Sequence, residues 1–262
     1  MLQLDKVRDQ LERLKLSTAA SHLETRLQAA MHRQATYLDF LEDLLEGELR
    51  IREERHLQLR LRMARLPYRK TLEDFDFTFQ PSLDEKAIRE LATMSFVERA
   101  ENVLFLGPPG VGKTHLAVAL GLEALRAGYS VYFSPLARLV EDLRRAYDER
   151  RLNVRMRPYL RPKLLIVDEV GYTKLDPVAA NVFFQLVNAR YERGSLILTS
   201  NKSFGEWGEL LGGDVVLATA VLDRLLHHAH IVNIRGQSYR LREKVRAGVY
   251  ATPRVDEERH NT

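Results

Sequence analysis

The sequence contains no cysteine, and this absence removes one class of site. Without thiols the chain forms no disulfide bonds and no thiolate-bound metal centres. Histidine does not replace cysteine in this role, because the eight histidines show no spacing typical of metal ligands beyond the cluster His227 to His230. Structural or catalytic zinc is therefore not expected.

Long apolar runs are also missing. No stretch of about eighteen apolar residues would span a bilayer. The N-terminal sequence MLQLDKVRDQLERLK mixes charged residues with leucine instead of presenting the apolar core of a secretion signal. At 262 residues and 45% hydrophobic, the chain is long enough to bury the core of one or two domains. We expect a cytoplasmic protein without membrane contact.

The net charge is small, +4, but it is unevenly distributed. Eight Lys or Arg residues lie between positions 144 and 163, against only Asp148 and Glu149. A phosphate backbone responds to such a local positive field more than to net charge. The segment is a candidate nucleic-acid surface, although charge runs more often form a solvated helix face paired with nearby acids.

Residues 1–66 have the pattern of a small helical domain. Apolar residues recur at steps of three and four, most clearly at Leu38, Leu41, Leu45 and Leu49. Ser17 and Thr36 occupy positions expected of helix caps. Acidic and basic residues nearly balance, which favours protein contacts over a DNA groove. The leucines are expected to form the domain's own core, with any surplus pairing with another subunit or the partner protein.

Residues 67–82 have no helical period, carry three phenylalanines within five residues and end beside a proline. We predict a linker that packs onto its neighbour. Ser82 followed by Glu85 reads as a capping box that opens a helix running to about Met94.

The remaining chain, 83–262, alternates short apolar runs with amphipathic segments. The predicted strands are 102–106, 130–134, 163–169, 195–201 and 230–234, and the intervening helices are 113–127, 136–149, 177–192 and 215–227. Continuous apolar strands joined by helical crossovers indicate an α/β domain with a parallel sheet that is covered on both faces.

The segment GPPGVGKT follows the first predicted strand and opens the next helix. It fits the pattern Gly-x-x-x-x-Gly-Lys-Thr, whose glycines let backbone N–H groups turn inward around phosphate oxygens. Lys113 would neutralise the outer phosphates, and the hydroxyl of Thr114 would bind Mg²⁺. A Gly-rich turn with a solvated lysine is the alternative, which the context disfavours. The predicted phosphate-binding residues are Gly107, Pro108, Pro109, Gly110, Val111, Gly112, Lys113, Thr114 and His115.

The strand KLLIVDE ends in two adjacent carboxylates, Asp168 and Glu169. Charge at the end of a buried strand is costly unless a metal or partner compensates it. Asp168 is therefore the predicted magnesium ligand, and Glu169 the base that polarises the attacking water. A helix N-cap would explain either acid alone, but explains the pair less well.

Two further polar residues have a functional and an ordinary interpretation. Asn201 ends the strand LILTSN; in P-loop ATPases with an additional strand at this place, such a residue lies beside the terminal phosphate and orients water. A turn asparagine that caps the next helix is the alternative. Arg224 is either an arginine finger that completes a neighbouring subunit's site or a surface residue paired with Asp223. Spacing alone does not choose between these roles.

Several segments together carry a family resemblance: GPPGVGKTHLAVALG, LLIVDEVGY, LILTSN and LDRLLHHAHIVNIRGQSYRLRE. With the Leu-rich helical N-terminus, they make nearly the whole chain resemble the IstB family. These proteins are the ATP-binding helpers of insertion-sequence transposition and are similar to the DnaC helicase loaders. The phosphate loop is specific only to a superfamily, whereas the last segment is far more particular.

The resemblance implies an AAA+ ATPase of the initiator clade, with a five-stranded parallel sheet of the additional-strand type and helices on both faces, behind a small all-helical domain. It implies ATP and Mg²⁺ as cofactors, and duplex DNA, a cognate transposase and further copies of the chain as partners. It makes Arg224 the finger that acts in trans and Arg240 the candidate second sensor. Only 28 residues follow Ile234, too few for a full helical lid, so Arg240 lacks its usual scaffold.

Initiator-clade proteins carry extra helical structure between their second and third strands, where this chain has the basic residues 135–162. Positive charge along a spiral of subunits would follow a phosphate backbone in a sequence-tolerant, salt-sensitive way. The predicted DNA-binding residues are Arg144, Arg145, Arg151, Arg155 and Arg157. A second basic group, which either extends this path or merely solvates the tail, comprises Arg235, Arg240, Arg242, Lys244 and Arg246.

The predicted function is a DNA-stimulated ATPase that assembles on duplex DNA and assists a transposase in target selection. A helicase loader that hands a ring to single-stranded DNA is the near alternative. A small-molecule kinase would need an acceptor pocket and a lid, and no segment supplies either. A clamp that binds ATP without turnover is disfavoured by the intact acidic pair.

Overall fold

The structure is a computed structural model that describes residues 3–246, with side chains up to residue 242. The chain divides into two compact units, one ending at Arg62 and the other beginning at Met63. Within residues 3–246, none of the helices combines the length and the hydropathy needed to cross a membrane. The side chains of the predicted basic residues Lys244 and Arg246 lie outside the described part. The last residues of the predicted ATPase domain, 247–262, lie outside it as well.

The first unit is built from α1 (Gln3–Arg13), α2 (Ser17–Arg33) and most of α3 (Tyr37–Ala64). The predicted cap at Thr36 is confirmed, because the Asp39 amide donates to its hydroxyl at 3.2 Å. The predicted cap at Ser17 is wrong. The amides of Thr18 and Ala19 donate instead to the buried carboxylate of Glu48, at 2.7 and 3.0 Å. An acid from α3 thus meets the positive end of α2.

The core of this unit is small, and it takes up leucines of α1 and α2 but not the predicted leucine stripe of α3. Ala19, Leu23 and Leu44 form its buried centre, and Leu4, Leu11, Leu16 and Phe40 pack against them. Leu38, Leu41, Leu45 and Leu49 instead remain 77, 48, 38 and 56% exposed. The expectation that they form the unit's own core is wrong, because α3 turns a different face, with Leu44 and Glu48, towards the interior.

The second unit is an α/β domain. Its strands are β1 (Asn102–Leu106), β2 (Val131–Pro135), β3 (Leu164–Val170), β4 (Ser195–Ser200) and β5 (Ala229–Asn233). Its helices are α4 (Glu85–Leu91), α5 (Ser95–Glu98), α6 (Lys113–Arg126), α7 (Leu136–Asp148), α8 (Leu152–Leu160), α9 (Pro177–Arg190), α10 (Trp207–Leu210), α11 (Val215–Leu226) and α12 (Tyr239–Arg246). Each predicted strand lies within one residue of the observed one.

The five strands are parallel in the order β2-β3-β4-β1-β5. The predicted fold is therefore confirmed: helices cover both faces of the sheet, and β4 is the additional strand between β1 and β3. Strands β1 and β4 are buried along their whole length, as expected for central strands of a parallel sheet that is covered on both faces. The parallel order brings the carboxyl ends of β1, β3 and β4 to one edge, where polar residues follow each strand.

The predicted capping box at Ser82 is wrong. Helix α4 is capped by Asp84, whose carboxylate accepts the amides of Lys86 and Ala87 at 2.9 and 3.3 Å. Ser82 instead exchanges two hydrogen bonds with the backbone of Arg235, at 2.7 and 2.9 Å. The serine therefore ties the segment before α4 to the chain after β5, a long-range role that local spacing does not reveal.

The basic insertion consists of α7 and α8, and a buried arginine of α9 holds its end. Arg190 is 1% exposed and donates to the carbonyls of Tyr159 and Pro162, both at 2.9 Å, and of Ser195 at 2.8 Å. Burial lowers the pKa of Arg190 to about 10. Because the guanidinium bonds to carbonyls that end α8 and open β4, it joins the insertion to the sheet.

Candidate functional site

The loop between β1 and α6 has the tight backbone that its glycines predict. Gly107 and Gly112 have positive φ angles, +151° and +101°. A Cβ atom at Gly107 would lie 2.3 Å from the carbonyl oxygen of Ile234, and one at Gly112 would lie 2.5 Å from the ring of Phe75. Both positions therefore require glycine, and the loop ends where the amides of the first turn of α6 point outward.

Lys113 is folded into this loop. Its ammonium donates to the carbonyls of Gly107 and Pro108, both at 2.7 Å, and the residue is 7% exposed. Burial lowers the pKa of Lys113 to about 8, although the nearby Asp168 acts in the opposite direction. The ammonium is thus kept close to the loop, in a buried environment that disfavours its charge.

Thr114 and Asp168 meet at the edge of the sheet. The Thr114 hydroxyl donates to the two carboxylate oxygens of Asp168, at 2.9 and 3.2 Å. Asp168 is only 5% exposed and also accepts a hydrogen bond from Thr199 at the end of β4. A hydroxyl and a carboxylate are the oxygen donors that suit Mg²⁺, so the donor set fits the predicted ion.

Glu169 lies beside this pair but points into solvent. It is exposed and adopts a φ of +61°, a left-handed conformation that is unusual for a residue other than glycine. Its backbone amide donates to the Thr199 hydroxyl at 3.0 Å. The acidic pair is thus divided into a buried carboxylate and a solvent-facing one.

A cavity of about 480 Å³ lies over these groups, within the size range of small-molecule sites. It brings together the predicted residues from Gly110 to His115, Glu169 and Arg240. His115 is held by its Nε2, which lies 2.8 Å from the carbonyl oxygen of Thr71. Other wall residues were not predicted: Tyr68, Lys70, Asp74, Phe75, Asp76, Gln80, Tyr172, Thr199 and Tyr239.

Most of the unpredicted wall comes from residues 67–82, which the sequence predicts to pack onto a neighbour. The Phe75 ring lies 5.2 Å from that of His115. The cluster of phenylalanines was the available signal, but it does not say which surface the segment covers. This surface is the phosphate loop itself.

The same segment and the phosphate loop together hold α12, which carries Arg240. The Tyr239 amide donates to the Gly110 carbonyl at 3.0 Å, and its ring lies 5.4 Å from that of Phe79. Arg242 pairs with Asp76 at 3.5 Å. A full lid was not expected, and the described residues after β5 form one helix; residues 67–82 provide the support that brings Arg240 to the cavity.

Asn201 and Arg224 are not among the residues that line this cavity. The Oδ1 atom of Asn201 is buried beside Gly171 and has no hydrogen-bond partner among the residues that the structure describes. Arg224 donates to the side chain of Asn188 and to the Ala220 carbonyl, both at 2.8 Å, and lies over the ring of Phe184. Its hydrogen bonds hold the guanidinium against α9 and α11 of the same chain.

Close to Arg224, potential metal ligands of Glu192, His227 and His228 lie within 4.8 Å of one another, all on exposed residues. The sequence argument against zinc did not foresee this cluster. The Nδ1 of His227 is 2.6 Å from the Tyr191 hydroxyl, a hydrogen bond that competes with a metal for this nitrogen.

The predicted DNA-binding arginines lie on α7, on α8 and between them, and four are paired with acids. These pairs are Arg144 with Asp176, Arg145 with Glu141, Arg151 with Glu149 and Arg155 with Asp142. Arg157 is exposed and has no acidic partner within the part of the chain that the structure describes. The arginine side chains of the pairs are still 51 to 71% exposed.

The sheet order, the phosphate loop and the acids at the tip of β3 define a P-loop ATPase of the AAA+ class. The sequence profile of the family described as "IstB-like ATP binding protein" matches residues 9–247. The chain therefore belongs to this family of ATP-binding proteins, as the resemblance in its motifs predicted.

Relatives and solved structures agree with this assignment. The chain is 51% identical to an ATP-binding protein described for insertion sequence IS5376 of Geobacillus stearothermophilus, over 92% of this chain and 95% of that one. The chain is also 51% identical to the ATP-binding protein described for insertion sequence IS21 of Pseudomonas aeruginosa, over 95% of this chain and 94% of that one. The fold is similar to that of DnaI, with a TM-score of 0.52 and 22% identity over 64% of this chain and 92% of DnaI.

The lowered pKa of Lys113 predicts that ATP binding takes up a proton in alkaline solution. ATP phosphates favour the charged ammonium, which is largely formed at pH 7 but largely lost above a pKa of about 8. Proton uptake per ATP should rise from about 0.1 at pH 7 to about 0.9 at pH 9, with affinity falling accordingly. Calorimetry in two buffers of different ionisation enthalpy measures it.

A second lysine of the cavity provides the control for this experiment. Lys70→Gln removes one positive charge from the wall but leaves Lys113 in place, so the proton uptake should persist. Equal uptake at pH 7 and pH 9 in the unmodified protein would contradict the lowered pKa of Lys113 in the free loop.

Proposed function

We propose that this protein is a magnesium-dependent ATPase that assembles on duplex DNA, is stimulated by it, and assists a transposase in selecting the target. ATP seated in the cavity would join neighbouring subunits, and its hydrolysis would release them. The nucleotide state would thus act as a switch on assembly and on DNA binding.

In this proposal each group of the site has one task. The amides of Gly110 to Thr114 and the ammonium of Lys113 bind the phosphates, and Arg240 adds positive charge from α12. Thr114 and Asp168 hold Mg²⁺, which when bound offsets the negative charge of the phosphates. Glu169, facing solvent at the cavity, accepts a proton from the attacking water.

The observation that carries the proposal is the position of Arg224. Asn102, the first residue of β1, donates to the carbonyl of Leu225, next to Arg224, at 3.0 Å. The phosphate loop follows the other end of β1, about 15 Å further along at the usual rise per residue. Because this span exceeds the reach of an arginine side chain, Arg224 would serve a neighbouring subunit's site.

The insertion formed by α7 and α8 is the proposed DNA surface, with Arg144, Arg145, Arg151, Arg155 and Arg157 as its contacts. Exposed ion pairs contribute little to stability, so these arginines can exchange a carboxylate for a DNA phosphate at small cost. Arg190 fixes the end of this insertion through its hydrogen bonds to the carbonyls of Tyr159 and Pro162. The arrangement favours binding to the backbone without base recognition.

The relatives favour transposition over helicase loading. The two compared at 51% identity are described as proteins of insertion sequences. The similarity to DnaI, at 22% identity, concerns the fold alone. A transposase of the same element is therefore the proposed partner, and the exposed leucines of α3 are the proposed region of contact with it or with another copy.

Sizing of the protein with and without duplex DNA, in ATP, in ADP and without nucleotide, tests this function. We expect large assemblies with ATP and DNA together, and small species with ADP or no nucleotide. Raising salt from 50 to 200 mM should weaken DNA binding by about 10³-fold or more if several phosphates are contacted. A protein that stays monomeric and ignores DNA in ATP would refute the proposal.

A further inference from the structure

The end of β3 contains a β-bulge at the acidic pair. Val167 pairs with Leu198 and Val170 pairs with Ser200, so three steps along β3 match two along β4. The extra residue falls at Asp168 and Glu169, and Glu169 takes up the change of direction with its φ of +61°. The two carboxylates owe their separate environments to this irregularity.

One hydroxyl group holds the bulge. Thr199, 1% exposed at the end of β4, accepts the amide of Glu169 at 3.0 Å and donates to Oδ1 of Asp168. A hydroxyl has one proton to donate and lone pairs that accept. The Thr199 hydroxyl therefore donates its proton to the carboxylate of Asp168 and accepts the backbone N–H of Glu169.

This double contact determines where both acids lie. The bond to the Glu169 amide stabilises a backbone conformation that a glutamate otherwise avoids. The bond to Asp168 fixes Oδ1, the oxygen that the Thr114 hydroxyl also approaches, at 2.9 Å, while Oδ2 lies 3.2 Å from the same hydroxyl. Without the Thr199 hydroxyl, the Glu169 amide would lack this partner and β3 would tend towards a regular strand, which moves the Glu169 carboxylate.

We propose that Thr199 is a positioning residue for ATP hydrolysis, which sets the carboxylates of Asp168 and Glu169 in register with the phosphate loop. The inference rests on the proposed roles of these two acids. It assigns to Thr199 a task at the tip of β4, where the sequence pointed to Asn201. Thr199 lines the cavity, whereas Asn201 does not.

Thr199→Val tests the proposal because it removes the hydroxyl and keeps the shape of the side chain. We expect kcat for ATP to fall about 10- to 100-fold, as is typical when a group that orients metal ligands is lost. The Mg²⁺ concentration for half-maximal binding of a fluorescent ATP analogue should rise, whereas binding of the analogue in EDTA should be unchanged. Thr199→Ser keeps the hydroxyl and should restore both properties.

Ser195→Ala is the matched control at the other end of β4. The Ser195 hydroxyl is buried and donates to the Phe96 carbonyl at 3.1 Å, far along the strand from the acids. Its loss should lower thermal stability without changing kcat or the Mg²⁺ dependence. If Thr199→Val does not fold, Thr199→Ala removes the same hydroxyl without crowding and carries the same expectations.

Hydrogen exchange separates this proposal from the proposed function. In Thr199→Val the Glu169 amide should exchange about tenfold faster, because its acceptor is gone. This readout and the Mg²⁺ dependence do not require DNA, assembly or turnover. Unchanged exchange at Glu169, unchanged Mg²⁺ dependence, or a Thr199→Ser variant as impaired as Thr199→Val would overturn the role of the hydroxyl.

Discussion

Replacing Arg224 by alanine is expected to lower DNA-dependent ATP hydrolysis by about 10³-fold or more, the range found for arginine fingers. The guanidinium would stabilise the charge that develops on the transferred phosphoryl group of a neighbouring subunit. Because α11 ends at the edge of the sheet opposite the loop, ATP binding by the isolated subunit should be unaffected. Steady-state turnover on duplex DNA, beside nucleotide binding, measures both quantities.

A mixing experiment distinguishes action in trans from a local effect. Arg224→Ala keeps an intact cavity, whereas Glu169→Gln keeps the arginine but lacks the proposed base. Equal mixtures should regain about a quarter of the wild-type rate, because one subunit contact in four combines an intact cavity with an arginine. Arg89→Ala, which removes an exposed arginine of α4 that pairs with Glu85 of the same helix, should retain full activity. A mixture as inactive as its components would contradict the assignment.

Glu169→Gln is expected to lower ATP turnover by about 10²- to 10⁴-fold, the usual contribution of a general base. Glutamine keeps the size of the side chain and the backbone hydrogen bond to Thr199, so only the proton acceptor is lost. ATP binding should persist, and assemblies on DNA should become long-lived in ATP. Turnover and the lifetime of the assemblies after dilution are the two measurements.

Two further variants serve as controls for Glu169→Gln. Lys113→Ala, which removes the ammonium from the loop, should prevent assembly altogether. Glu209→Gln alters an exposed acid that pairs only with Lys174 at 3.6 Å within the described residues, and should behave as wild type. DNA-dependent hydrolysis that survives in Glu169→Gln would assign the base to another residue.

The site was predictable from the sequence where its residues belong to one short segment. Gly107 to Thr114 are neighbours in the chain, and the strand and helix around them have clear periodicities. Asp168 and Glu169 were recognisable because a charged pair is unexpected at the end of an apolar strand. The alternation of apolar runs with helices of crossover length also predicts the parallel sheet, whereas the additional strand is implied by the family resemblance.

The remaining part of the site was not predictable, because it depends on contacts between distant segments. In the sequence, Thr199 is an ordinary threonine near the end of a strand. Only the structure shows that the bulge in β3 brings Asp168 and Glu169 against its hydroxyl. The phenylalanines of residues 67–82 indicate that this segment packs onto a neighbour. They do not indicate that it covers the phosphate loop and supports α12. Ser82 matches a capping box locally, yet its partner is Arg235, more than a hundred residues away.

The sequence by itself determined the order of helices and strands, the parallel sheet and the phosphate loop, because apolar periodicity and glycine positions act over a few residues. Only the tertiary structure decided which helix face is buried, which acids pair with the arginines of α7 and α8, and which hydroxyl holds the acidic pair. These choices follow from the packing of whole elements, which brings together side chains that no local pattern connects.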